Sequence, residues 1–158
     1  MDLQAQIDSY IAEQPQPKRQ ELQTLHRLIL AASPNGRLWF LDGRNEEGKV
    51  VSNPTIGYGI QEREYANRKT KAFFQIGLSA NTTGLSIYVM GLDDKQYLSE
   101  TYGHMIGKAK ITGYCVKFRS LGNVNLGVIS QMVANHLGKG ADGSKAVIGD
   151  GPASGRSL

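Results

Sequence analysis

Apolar residues recur at helical spacing along the first thirty or so positions and at strand spacing through the middle of the chain. Leu3, Ile7, Tyr10 and Ile11 form the stripe of a short amphipathic helix within residues 2–14. Pro15 and Pro17 interrupt it, and Pro17 stands where a first helical turn needs no backbone N–H. Leu22, Leu25, Leu28, Ile29 and Ala32 then carry the helical period to a stop at Ser33-Pro34-Asn35-Gly36, so the chain opens on a helical hairpin.

Beyond that stop the period becomes two. Strands are predicted over 37–41, 49–52, 55–62, 72–80 and 85–90, with a turn from Asp42-Gly43 through Glu47-Gly48. Asn81-Thr82-Thr83-Gly84 is a polar link of hairpin length with a glycine available for positive φ. A third helix is expected to start at Asp93, with Gln96 completing a capping box, Leu92 stapled on Tyr97, and Tyr97, Leu98, Thr101, Tyr102 and Met105 facing inward. Residues 111–119 return to strand. Asn125 then caps a last helix whose stripe runs through Ile129, Met132, Val133, His136 and Leu137 to a stop at Gly138.

Alternation divides each strand between two faces. One set, Ile56, Tyr58 and Ile60 with Phe74, Ile76 and Leu78, Leu85, Ile87 and Val89, and Tyr114, Val116 and Phe118, is apolar and must pack under helices. The other set is small and polar, with Gly57, Gly59 and Gly77 among Gln75, Tyr88, Cys115, Lys117 and Arg119. Glycine weakens a strand, so its repetition on one face points to close approach of another group. The ordinary alternative is a half-solvated antiparallel sheet showing its polar side to water. These observations predict an α+β fold: an N-terminal helical hairpin, a mostly antiparallel curved sheet of about five strands, and two further helices, all helices on one face.

Composition narrows the classes. The 158 residues suit one domain, expected over 1–138, with a flexible Gly/Ser-rich tail over 139–158 that holds too little apolar surface to repay ordering. A single cysteine, Cys115, excludes an intrachain disulfide and fits a reducing compartment. The N-terminus has no export signal, and no apolar run is of membrane-spanning length, so a cytoplasmic protein with no membrane partner is expected. Net charge is +4, but lysine and arginine are scattered. That argues against a nucleic-acid arm unless folding brings the charges onto one face.

Motifs of catalysis fail on context. Gly138-Lys139-Gly140-Ala141-Asp142-Gly143 spells a dinucleotide fingerprint, but a helix precedes it where a strand is required. Gly103 to Ala109 echoes a phosphate loop with one residue too few and an alanine in place of the hydroxyl. His26, His104 and His136 lie on separate elements, and Cys115 has no neighbouring base in sequence. The basic residues Arg63, Arg68, Lys69 and Lys71 mark a solvated loop between strands.

Tyr10-Ile11 before a proline break, the helix from Leu25 to Ala32, Asn53-Pro54-Thr55-Ile56-Gly57-Tyr58, the stretch from Phe73 to Tyr88-Val89-Met90-Gly91, and Gly107-Lys108 followed by Cys115-Val116-Lys117-Phe118 together resemble the YdhG-like family of bacterial domains of unknown function, over roughly residues 5–138. The resemblance implies an α+β fold with a curved sheet and helices on one side. One branch of that family is described as frataxin-like and iron-delivering, a role that needs exposed carboxylates. Here the acids stand only as Glu46-Glu47, Glu62 and Glu64, and Asp93-Asp94 in a basic chain.

The expected function is a non-catalytic module that either binds a small ligand, with an anion the first candidate, or serves as an interaction module. Lys117 and Arg119 would meet the charge, Gln75 and Tyr88 would orient the ligand, and Gly57, Gly59 and Gly77 would give access. No catalytic or metal-ligating residue and no cofactor is assigned. The alternatives are a frataxin-like iron chaperone using the acidic pairs, and an enzyme whose Glu62 or Glu64 converges with Tyr88 as acid and base.

Overall fold

The computed structural model describes residues 2–64 and 70–141. Helix α1 (Leu3–Ala12) starts where the Asp2 carboxylate accepts the Ala5 N–H at 2.7 Å, and it buries Ile7, Tyr10 and Ile11. Helix α2 (Lys18–Ala32) buries Leu22, Leu25, His26 and Ile29. Strands β1 (Leu38–Leu41), β2 (Thr55–Tyr58), β3 (Gln61–Glu64), β4 (Thr70–Phe73), β5 (Ile76–Asn81) and β6 (Gly84–Val89) lead to a short helix α3 (Tyr97–Tyr102). Strands β7 (Lys110–Thr112) and β8 (Cys115–Phe118) precede the closing helix α4 (Leu126–Ala141).

Six strands make one sheet in the order β1-β2-β5-β6-β8-β7, every neighbour antiparallel, and β3 and β4 form a separate two-stranded ribbon. The α+β class and the mostly antiparallel sheet are as expected, with one more strand in the main sheet and the ribbon besides. The register stacks whole rungs of apolar side chains: Phe40, Ile56, Leu78, Ile87, Val116 and Ile111 lie side by side across all six strands. Ile56, Leu78, Ile87 and Val116 are completely buried, and they share a core with Ile7, Leu25, Ile29, Leu98, Ile129 and Met132 from the four helices. Each such side chain removed from water contributes about 1.5–3 kcal/mol. Among the described residues no helix is long and apolar enough to cross a membrane.

Several boundaries differ from expectation, each for a local reason. The strand predicted over 49–52 is absent: Val50 and Val51 are 60% and 63% exposed, and only a bridge joins Arg44 to Val50. The Asp42 and Asn45 side chains instead accept the N–H groups of Arg44, Glu47 and Lys49 at 3.0 Å, closing turns in place of a ladder. The strand predicted over 111–119 is a hairpin, β7 and β8, turning at Gly113-Tyr114 with Gly113 at φ 52°. Tyr114 therefore sits in a turn, not on the apolar face.

Helix α3 begins four residues later than predicted. The Asp94 carboxylate, not that of Asp93, accepts the Gln96 N–H at 2.9 Å, and this turn delays the helix. Met105 falls beyond the helix end and is 44% exposed, while Ile106 takes the buried place. At α4 the Asn125 side chain accepts the N–H groups of Gly127 and Val128 at 2.9 and 3.3 Å, as the sequence predicts. The helix does not stop at Gly138 but reaches Ala141, since a glycine costs a helix only about 1 kcal/mol. The predicted tail from residue 142, and Arg68 and Lys69 of the basic loop, lie outside the described residues. Of Arg63, Glu64 and Lys71 only the backbone is described.

Candidate functional site

The predicted strands 55–62 and 72–80 are the two arms of one long hairpin, broken where they bend. Gly59 takes φ 78° and donates its N–H to Arg37 O at 2.8 Å, and opposite it the Gln75 N–H bonds Tyr58 O at 3.0 Å. The bend carries β3 and β4 out of the sheet and reverses the alternation around it. Phe74, assigned by alternation to the helix side, lies on the other one. A Cβ built on Gly57 would meet the Phe74 ring at 2.9 Å, and one built on Gly77 would meet it at 2.7 Å. Gln75 turns the opposite way: its Oε1 and Leu137 Cδ1, from α4, crowd the same point beside Gly59. Ile60, expected under the helices, is 38% exposed.

These placements divide the seven residues predicted to line a site. Gly57 and Gly77 are directly cross-strand, and the close approach inferred from them is real, but the group that approaches is the protein's own Phe74. Gly59 supplies the bend. Gln75 belongs to the core side, where its Oε1 has no hydrogen-bond partner among the described residues. Tyr88 and Lys117 remain on the side of the sheet away from the helices, Lys117 exposed and Tyr88 half-buried, while Arg119 is exposed in the bend just after β8. The register therefore brings two of the seven, Tyr88 and Lys117, onto one open surface.

The register shows what else that outer side holds. Trp39, Gly57, Gly77, Tyr88, Cys115 and Thr112 form one rung across the six strands. Phe74 fills the gap its two glycines leave between Trp39 and Tyr88. Phe73 and Phe74 have ring centroids 4.2 Å apart, and Phe73 meets Trp39 edge-on at 6.1 Å. The Trp39 indole N–H donates to Gly59 O at 2.7 Å, and the Arg37 guanidinium lies 4.1 Å above the ring. The next rung reads Ser79, Ser86, Lys117 and Lys110, the two lysines directly opposed and exposed.

Trp39, Phe73, Phe74, Arg37 and Lys110 were not singled out as site residues in the sequence. Lys110 could have been: recognising Gly113-Tyr114 as a two-residue turn pairs Lys110 with Lys117 at once. The position of Phe74 had no such signal, because it depends on a bend that breaks strict alternation.

Burial keeps both Tyr88 and Cys115 on this face in their neutral forms. Burial pushes the Tyr88 hydroxyl up, with Cys115 beside it adding to the effect. Burial likewise pushes the Cys115 thiol up, against the pull of Lys117 and a hydrogen bond with Ser86, so the sulfur is a protonated, structural thiol at neutral pH. Among the described residues no carboxylate is buried, and Glu62 is exposed. No group of three or more histidine, cysteine or acidic side chains among them is placed to hold a metal ion. His26 is packed in the core, its Nδ1 2.7 Å from Tyr58 Oη, and His136 packs against Tyr97 and Tyr102. The phosphate-loop echo is spent on the fold: Gly107, at φ 100°, bridges to Val124, and the Lys108 N–H donates to Asn123 O at 2.8 Å.

Neither a protein-family model, nor a curated protein, nor a solved structure matches the chain.

Proposed function

We propose that the chain is a non-catalytic binding module whose ligand is negatively charged and lies on the outer face of the sheet, held by Lys110, Lys117 and Arg119 beside Tyr88. The Lys110–Lys117 pair carries the reading. Like charges directly opposite across two strands destabilise the sheet by some tenths of a kcal/mol. Strands β5 to β8 contain no carboxylate to relieve them, and neither ammonium pairs with one among the described residues. An anion between them converts that repulsion into binding. The face is flanked by an aromatic rung, and Lys110 and Lys117 meet on it across β7 and β8. The YdhG-like resemblance supports the reading through its fold alone.

Thermal melting and Trp39 fluorescence at low salt, against phosphate, polyphosphate, sulfate and di- and tricarboxylates, test it. At least one anion should raise the melting temperature, and the gain should shrink in Lys110→Gln and Lys117→Gln. A panel without a single stabilising anion, or gains untouched by both substitutions, would reject the proposal.

A further inference from the structure

We infer that the anion this face takes is a single-stranded nucleic acid, its phosphates on Lys110, Lys117 and Arg119 and its bases along the rung from Trp39 to Tyr88, with Phe73 beside Trp39. The inference rests on the proposed anion-binding role and names its ligand class. Three features of the face carry it. First, shape: a small metabolite needs a concavity that encloses most of its surface. Two hollows in the described surface, of about 330 Å³ beside Phe40 and Arg44 and about 530 Å³ between α1 and α2, include none of Tyr88, Lys110 or Lys117. An open sheet face suits an extended polymer.

Second, aromatic spacing. Trp39 on β1 and Tyr88 on β6 are three strands apart, roughly 14 Å at the usual interstrand distance, and Phe74 levels the floor between them. That span accommodates two or three unstacked bases, and half-buried rings present faces on which any base can stack. The Arg37 guanidinium already stacked on Trp39 offers a further plane of the same kind. Third, Lys110 and Lys117 lie one rung away and on the far strands, with Arg119 just beyond β8, so a backbone following the lysines keeps its bases over the aromatic rung. A duplex hides its base faces and gains nothing from such a rung, and an acidic polypeptide gains only the charge.

Fluorescence anisotropy of labelled oligouridylate and oligothymidylate with the full chain tests this, against a duplex of equal length and against heparin as a base-free polyanion. Single strands should bind and quench Trp39, the only tryptophan. Their log affinity should fall with log salt at a slope of about −2, as expected for three phosphate contacts, and Lys110→Gln with Lys117→Gln should remove about 1.4 of that slope. Tyr88→Leu should weaken single strands about tenfold without changing the slope, while Tyr88→Phe keeps most of the affinity. The unmodified chain already reports stacking through Trp39, so a misfolded variant would not disable the test. Binding of duplex or heparin as tightly as single strands, with Trp39 unquenched, overturns the inference and leaves the anion-binding role standing. Failure of every polyanion and of phosphate and polyphosphate overturns both.

Discussion

Two neighbouring rungs of the same sheet are built on different principles. The rung from Phe40 to Ile111 is a row of aliphatic and aromatic side chains pressed between strands and helices, each fitting because its neighbour is apolar too. The rung from Trp39 to Thr112, one residue along every strand, has no helix above it and closes over itself: two glycines leave a trough and Phe74 lies in it. The first burial is general, since any well-sized apolar residue would contribute. The second is specific, because the ring fits only where both Cβ atoms are missing. A sheet can therefore fill a gap in its open face with its own ring without a covering layer, and leave the adjoining rung to charge.

Breaking the inner rung should have the largest effect. Ile87→Ala should cost about 4 kcal/mol in chemical denaturation, as a completely buried side chain whose surroundings cannot collapse. Phe74→Ala should cost about 3 kcal/mol, and a loss near zero would mean that the outer rung contributes no packing. Gly77→Val should cost about 2 kcal/mol by driving a side chain into the Phe74 ring. Combined with Phe74→Ala it should cost clearly less than the sum, by at least about 0.5 kcal/mol, because the valine then enters the vacated trough. Strict additivity in that cycle would contradict the shared site.

The helix side has its own pH signature. Burial holds the His26 imidazole below its ordinary value, with Asp8 opposing and Arg27 reinforcing the effect. The folded chain therefore binds fewer protons than the unfolded one as pH falls below about 6.5, and stability is complete above that value and lost beneath it, by at most about 1.4 kcal/mol per pH unit. Burial also raises its partner Tyr58 well above the ordinary tyrosine range, so the opposite loss sets in above about pH 10. Melting between pH 7.5 and 5 should show the acid limb, and His26→Asn should flatten it. The smallest effect belongs to the outer charges: Lys117→Gln should stabilise the free protein by about 0.3 kcal/mol, by relieving its repulsion with Lys110.

Most of the fold was legible as pattern. The helical hairpin, the Asn125 cap and the apolar set of the central strands follow from period and from local hydrogen-bonding chemistry, which act over a few residues. The errors collect where a short-range rule met a competing local bond or a bend. Asn45 and Asp42 draw 49–52 out of the ladder, Asp94 displaces Asp93 at α3, and Gly59 with Gln75 reverses the faces of Phe74, Gln75 and Ile60. Of the predicted site, Tyr88 and Lys117 share the outer face and Arg119 is exposed just beyond β8, while Gly57 and Gly77 are covered from within.

By itself the amino-acid order determined which stretches are helix and strand, that one face of the sheet must be covered, and that glycines on the other invite close approach, because these depend on spacing and side-chain size along a local segment. Only tertiary structure decided what approaches. Whether Phe74 or a ligand fills the trough, and whether Trp39 shares a rung with Tyr88, depends on a bend and on a strand order that brings residues from distant parts of the chain into one rung. No local period records either.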